Sequence, residues 1–595
     1  MRRAALAATA GALAVLLGCA VPASERARLP DGAVAAAGGG GAGPAAGGGQ
    51  PSGGGQAGGG GRTDGGATGG GRGGATLADA SADASAGDRG APLGPTPPTG
   101  RTLLLIGQSG RRPHAEYVAT TGSVPAGGSV YAELYTGQLL NWEHEALVAY
   151  LARDYPGSYV EVGLSWKDDR VGAGYCDLSA GCAQNCCAPG DDQAPVLPEL
   201  DIVAGRYDAA IDAFAAALAA RPTLRFLVRL DYEVSPDLFC TRAGDCAPYT
   251  AAFDYLAARI RAGDGAGNVQ FVFHPTRGWA QRMYPGPANT DWIGFSIFNH
   301  DVCLPASDGT MVTVNCPPSQ ALDANLAGDL AWAHATGKPV LVAESAVQNT
   351  ADDAPATFAD YLGRLYAVIE ADASMRGLTY INMKWTGDWV YGENWTLGAF
   401  ADTDSRVERD PADQSAWCGH LAGGRYLGLA GRPATCGAPP ASAPPLPPDL
   451  DAPVYTVVAL ATNQCLRIPG TAIDDAGPIV GGACTTDGRA RFRLVTGAGG
   501  AVQIFNDATW LCLEADAGGA GTPLVQRPCA DVAAQRFVQG ASSDGVATDV
   551  TFQPAGSAGL CLGLATATGG GAPGVVLQPC GTTSGQIFRL QLQPF

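Results

Sequence analysis

The sequence predicts a multidomain fold in which an α/β (β/α)8 barrel is followed by a smaller all-β domain and preceded by a disordered Gly/Ala-rich tether. Three observations predict it. Short Val/Ile/Leu-rich runs alternate with amphipathic helical stretches from Thr102 to about Cys436, the pattern of repeated βα units. Cysteine–leucine pairs recur at Cys465, Cys512 and Cys561, at intervals of 47 and 49 residues, which marks a threefold repeat. Residues 33–100 are dominated by Gly, Ala and Ser, with no apolar period able to build a core. The predicted boundaries are 1–19 for a leader, 20–100 for the tether, 101–437 for the barrel, 438–453 for a Pro-rich linker and 454–595 for the all-β domain.

The leader comes first. Met1-Arg2-Arg3 precedes an apolar run to Leu17, the charged start and short hydrophobic stretch of a secretory signal. Leu16-Leu17-Gly18-Cys19 resembles the lipobox of bacterial lipoproteins, which implies lipidation of Cys19 and display at the cell envelope. An ordinary cleaved signal, with secretion, is the alternative. The tether of roughly 70 residues would then reach about 45 Å as a flexible coil.

Eight strands are expected in the barrel: Thr102 to Gly107, Tyr159 to Ser165, Leu200 to Ala204, Leu224 to Leu230, Val269 to His274, Trp292 to Ile297, Val340 to Ala343 and Leu378 to Met383. Helical spacing is clearest in Glu143 to Arg153, Ala209 to Ala220, Ala251 to Arg261, Ala321 to Ala335 and Phe358 to Ala371. Eight βα units in about 335 residues suit one barrel. The Pro-Pro and Pro-Leu-Pro-Pro steps of the linker predict a stiff, extended spacer.

With 56 acidic and 37 basic residues the net charge is -19, which argues against nucleic acid or anionic headgroups as partners. A neutral polymer suits the chain better, and a monomer is expected. Sixteen of the 17 cysteines follow Cys19, an even number, and disulfides are the expected state of an exported chain. In the barrel Cys240 and Cys246 share one loop and Cys303 and Cys316 another, while Cys418 and Cys436 clasp the domain's end. Cys176, Cys182, Cys186 and Cys187 crowd a further loop, with pairing open and a four-thiolate zinc site as the rival reading. The preferred expectation is no metal and no cofactor, since the six histidines show no HExxH spacing. Gly107-Gln108-Ser109-Gly110 lacks the second glycine of a nucleophile elbow, because Arg111 stands there.

In the C-terminal part each Cys-Leu is followed by a second cysteine, Cys484, Cys529 or Cys580, and by a tag, Ala490-Arg491-Phe492, Gln535-Arg536-Phe537 or Gln586-Ile587-Phe588. This resembles the ricin B-type β-trefoil lectins, with Phe in place of the tryptophan of their Gln-x-Trp signature. The resemblance implies one bridge per repeat, Cys465 to Cys484, Cys512 to Cys529 and Cys561 to Cys580. It also implies an Asp two places after the first cysteine, where this chain has Arg467, Glu514 and Gly563. Only the middle repeat keeps an acid, so Glu514, with Trp510 and Gln526, is the candidate lectin site. A trefoil kept for folding or docking, without sugar affinity, is the other reading.

Two glutamates carry the chemistry. Glu233 closes the run Leu224 to Tyr232, and Glu344 closes Pro339 to Ala343, each reading as an acid at the C-terminal tip of a buried strand, where barrel active sites are built. Glycoside hydrolysis needs one protonated and one ionised carboxyl group, roughly 5–5.5 Å apart in a retaining enzyme and roughly 6.5–9.5 Å in an inverting one. Arg229 would pair with one of these carboxylates, as a charge donor to the site or as a plain buried ion pair. Trp166, Trp279, Trp389 and Trp395 fall in or near the predicted rim loops, where an indole face can stack on a sugar ring or simply pack.

Arg229-Leu230-Asp231-Tyr232-Glu233, Asp291 to Ser296, Ala343-Glu344-Ser345 and Trp385 resemble, in order and spacing, the barrel of glycoside hydrolase family 26 and related retaining β-glycanases. The resemblance covers most of residues 101–400. It implies Glu233 as acid/base, Glu344 as nucleophile and Trp385 as the floor under the sugar, with a polysaccharide as partner. Tyr232 stands where family mannanases carry His, and Phe298 where they carry Tyr; Asn299 or His300 could supply the missing polarity. The substrate-binding candidates are therefore Arg229, Tyr232, Trp385, Trp389, Trp279 and Asn299, and the substrate is not inherited. A non-catalytic carbohydrate-binding surface lipoprotein with a degenerate barrel is the alternative.

Overall fold

The computed structural model describes residues 96–593 except 109, 135–137, 140–141, 167–197, 241–243, 264–265, 300, 303–321, 348–354, 385–403, 442, 444–445, 447–451, 470–475, 486–487, 516–517, 542–545, 566–571 and 582–583. The N-terminal domain is a closed parallel barrel. Its strands are β1 (Thr102–Gly107), β2 (Gly127–Glu133), β3 (Tyr159–Ser165), β4 (Arg225–Leu230), β5 (Val269–Phe273), β6 (Trp292–Ser296), β7 (Val340–Glu344) and β8 (Met375–Ile381). Each pairs in parallel with its sequence neighbour, and β8 returns to β1 while β1 meets β2 through Leu105 and Gly127, which closes the ring.

One strand expectation fails. Leu200 to Ala204 lies largely in a short helix, Pro198–Val203, in which Ile202 is buried while Leu200 is 58% exposed. Five residues, four of them apolar, do not distinguish a strand from a helical turn. The eighth strand is instead β2, which opens with two glycines that sequence propensity marks against a strand. Packing demands them: a Cβ on Gly127 would sit 1.7 Å from the Tyr159 carbonyl oxygen, and one on Gly128 2.9 Å from that of Ile106. Because β2 replaces the lost strand, Glu233 and Glu344 still belong to the fourth and seventh.

Alternation along each strand separates two layers. Leu104, Ile106, Val130, Ala132, Phe226, Val228, Leu230, Phe271 and Phe273 face the surrounding helices, while Leu103, Leu105, Tyr159, Leu227, Val272, Trp292 and Leu341 fill the barrel. The next inward positions toward the C-terminal rim are polar: Tyr131, Glu161, Arg229, His274 and Ser296. Such groups persist in a core only when they satisfy one another.

The C-terminal domain is an antiparallel β-trefoil of twelve described strands between Val454 and Leu592. Leu466, Leu513 and Leu562, each following a bridged cysteine, meet Phe492, Phe537 and Phe588 in one core. Gln535 explains its place in the repeated tag: its amide donates to the Pro528 carbonyl at 2.9 Å and accepts from the Ala530 N–H at 2.7 Å. Gln586 repeats both bonds with Pro579 and Gly581. Each glutamine thus ties down the turn that follows the second cysteine.

Five bridges stand as expected: Cys240–Cys246, Cys418–Cys436, Cys465–Cys484, Cys512–Cys529 and Cys561–Cys580. The two domains touch through the helix Arg111–Thr121. The Arg111 guanidinium donates to the Thr509 carbonyl and lies 4.5 Å from the Tyr150 ring and 4.8 Å from the Trp510 ring.

Candidate active site

Glu233 and Glu344 reach the same rim by different local devices. Glu233 lies three residues past β4, in a segment where Asp231 and Glu233 hold φ of 55° and 51°, a left-handed conformation that non-glycine residues adopt at a cost of about 1 kcal/mol or more. Glu344 depends on a slip in pairing. Between Phe295 and Ser296 the β6–β7 register shifts, so Ser296 stands opposite Glu344 rather than Ala343. Without the shift, the alternation that sends Val340 and Val342 toward the helices would send Glu344 there too.

Arg229 is the hub. Fully buried, its guanidinium meets Glu344 Oε1 through Nη1 and lies 3.2 Å from Glu161 Oε1 through Nε. The Tyr131 hydroxyl donates to the same Glu344 oxygen at 2.9 Å and receives the Gln108 amide. Gly163 makes this possible, because a Cβ there would fall 2.6 Å from the Tyr131 ring and 3.0 Å from Arg229 Nη2. Tyr232 packs against Tyr131, with ring centroids 5.2 Å apart, and its ring lies 5.1 Å from the Arg229 guanidinium.

On the other side the Ser296 hydroxyl donates to Glu233 Oε1 at 2.7 Å, and His274 bridges Ser296 and Arg229 at 3.1 and 3.2 Å. One guanidinium therefore pairs with two carboxyl groups and reaches a third, Glu233, through His274 and Ser296. Burial, reinforced by the Glu344 charge, pushes the Glu233 carboxyl up to about 8. Burial also raises Glu161 to about 7, against the pull of Arg229. The site thus stores protons at neutral pH.

This has a measurable consequence. Between about 4.5 and about 8 the folded chain keeps the Glu233 proton that the unfolded chain releases, so stability falls as pH rises through that window. Glu233→Gln removes the penalty. The variant's melting temperature is expected to exceed the parent's by roughly 5 °C at pH 8.5, with a much smaller gap at pH 4.5, in paired calorimetric scans. Glu161 titrates in both proteins and cancels in the difference; a gap that does not widen with pH contradicts the raised carboxyl.

Of the other expected residues, Trp279 is 36% exposed just after β5, with the Arg282 guanidinium 5.5 Å from its ring. Trp166 is fully buried against Phe239 and Tyr249. Asn299 is half-buried after β6. Phe298 is buried, and its N–H donates to Asp301, which Arg277 pairs across from the loop after β5. In the trefoil Trp510 is 7% exposed and faces Arg111, Gln526 is fully buried and accepts from the Thr509 hydroxyl, and Glu514 accepts from Gln535 at 2.8 Å. Trp385, Trp389, Trp395, His300, Cys19, Cys176, Cys182, Cys186, Cys187, Cys303 and Cys316 lie outside the described residues. Among the described residues no group of three or more His, Cys, Asp or Glu side chains could hold a metal ion.

No family model matches the chain, and no curated protein matches its sequence. Among solved structures it is similar to the designed threefold-symmetric protein ThreeFoil, at 15% identity over 24% of this chain and 99% of that one, with a TM-score of 0.22. The Rhizoctonia solani agglutinin gives 17% identity over 25% and 99%, also with a TM-score of 0.22. An exo-β-1,3-galactanase from Clostridium thermocellum gives 18% identity over 24% of this chain and 31% of its own length, with the same TM-score. Tyr131, Glu161 and His274 also line the candidate site with no motif in the sequence to mark them, and Gln108 and Ser296 join them from runs singled out for other reasons.

Proposed function

We propose that the barrel hydrolyses a β-linked polysaccharide of the mannan, xylan or glucan class with retention of configuration. The observation that carries this reading is the contrast between two carboxyl groups on one rim, Glu233 held protonated by burial and Glu344 ion-paired to Arg229. Glu233 gives its proton to the departing glycosidic oxygen while Glu344 attacks the anomeric carbon, forming a glycosyl ester. Glu233, now ionised, then takes a proton from the water that cleaves the ester. Tyr131 and Arg229 orient the Glu344 carboxylate and lower the cost of keeping its charge in a dry site. Trp279 offers a face for a sugar ring.

The family 26 resemblance and the lipobox-like Leu16 to Cys19 support a surface-tethered glycanase. The trefoil's lectin-like repeats support a role in holding polymer near the barrel, with Glu514 of the middle repeat as the acid that would meet sugar hydroxyls. The test is a panel of β-mannan, β-xylan and β-glucan substrates, with proton NMR of the first product. A β anomer at early times is expected; an α anomer indicates inversion, and no new reducing ends on any polymer removes the reading.

A further inference from the structure

Resting on the assignment of Glu233 as the acid, we propose that His274 and Ser296 are positioning residues. They carry a one-way hydrogen-bond relay from Arg229 to Glu233 Oε1, and this fixes Oε2 as the oxygen that delivers the proton. The direction follows from what each group can do. A guanidinium only donates, so the Arg229 Nη1 to His274 Nδ1 contact at 3.2 Å makes Nδ1 an acceptor. A neutral imidazole then carries its hydrogen on Nε2, which donates to Ser296 Oγ at 3.1 Å. The hydroxyl has one hydrogen left to give, and Glu233 Oε1 receives it at 2.7 Å.

The opposite direction fails at its first step. A hydroxyl on Glu233 Oε1 donating to Ser296 would send the serine hydrogen toward an Nε2 that already bears one. Likewise an imidazolium would set an N–H against the Arg229 N–H, in a fully buried position. Burial first, and then the Arg229 charge, hold His274 well below its ordinary range. The acid proton is thus left on Oε2, which is buried and has no hydrogen-bond partner among the described residues. Three adjacent strand tips build the relay, with His274 just after β5, Ser296 ending β6, and the left-handed Glu233 placing its carboxyl against them.

The first readout needs no activity. In the full chain with nitrogen-15 histidine, the His274 signal, assigned by its loss in His274→Asn, should show the Nε2–H tautomer from pH 5 to 9. An Nδ1–H tautomer or an imidazolium overturns the relay. The groups facing Glu233 are Ser296, Glu344, Arg229 and Asp301, and removing the Ser296 donor alone raises the carboxyl further. Ser296→Ala should therefore move the Glu233 titration, read by carbon-13 NMR of the carboxyl, and the alkaline limb of kcat/KM to higher pH.

Turnover of an unactivated glycan should fall on the order of 10²-fold in Ser296→Ala. An aryl glycoside with an acidic leaving group should be nearly unaffected, and Ser296→Thr should restore both. An equal loss on both substrates, or an unmoved Glu233 titration, makes Ser296 merely structural and overturns the relay. A chain that cleaves no glycan yet shows the Nε2–H tautomer and the Ser296→Ala titration shift upholds the relay and overturns the hydrolase reading instead.

Discussion

Glu344→Ala is expected to lower kcat by at least about 10⁴-fold, the scale on which loss of a covalent nucleophile is felt. Folding must be separated from chemistry. Alanine leaves the Arg229 guanidinium and the Tyr131 hydroxyl without their shared partner, and a buried charge stripped of its partner costs about 3–5 kcal/mol. Glu344→Gln is the cleaner variant, because its amide oxygen still accepts from both groups but does not attack carbon. The two variants should therefore be equally inactive and unequally stable. The alanine protein opens a small space beside a cation, and azide admitted there should restore part of the turnover and give an α-glycosyl azide, since one displacement inverts where two retain. Activity of Glu344→Gln within tenfold of the parent, measured on the best polymer of the panel, would remove Glu344 from the reaction.

How far the sequence carried this reading depends on what decides each element. Glu233 and Glu344 were legible because each is an acid closing an apolar run, and strand tips of one barrel face converge whatever the intervening loops do. The same rule, applied to polar residues generally, would have reached His274 after Val269–Phe273 and Ser296 at the end of Trp292–Ser296. Tyr131 was beyond it. Its strand opens with glycines selected by contact with Tyr159 and Ile106 across the sheet, so propensity pointed away from β2 and toward the apolar but helical Leu200 to Ala204. Glu161 sits mid-strand, and only the inward alternation of a closed barrel brings it to Arg229. Trp510 shows the converse. The acid of the middle repeat suggested it as a helper to Glu514, and only tertiary structure shows that its ring faces Arg111 of the barrel.

Arg229→Met is the second large effect, and its two halves separate stability from chemistry. Removing the guanidinium leaves Glu161 and Glu344 buried without their common cation, so a loss of about 3–5 kcal/mol and a fall in melting temperature of roughly 10 °C are expected by calorimetry. Arg229→Lys should not rescue it. A single ammonium lacks the planar fork that reaches Glu161 through Nε while Nη1 serves Glu344 and His274. Adding Glu161→Gln to Arg229→Met removes one of the orphaned carboxyls, and because Glu161 touches Arg229 and Thr379 rather than Glu344 or Glu233, it should return part of the stability and none of the activity. If the double variant recovered turnover along with stability, Arg229 would be a scaffold for the barrel interior alone. If stability returns and turnover does not, the charge that holds the barrel's polar layer together is also the one that pairs with Glu344 and aims the relay at Glu233.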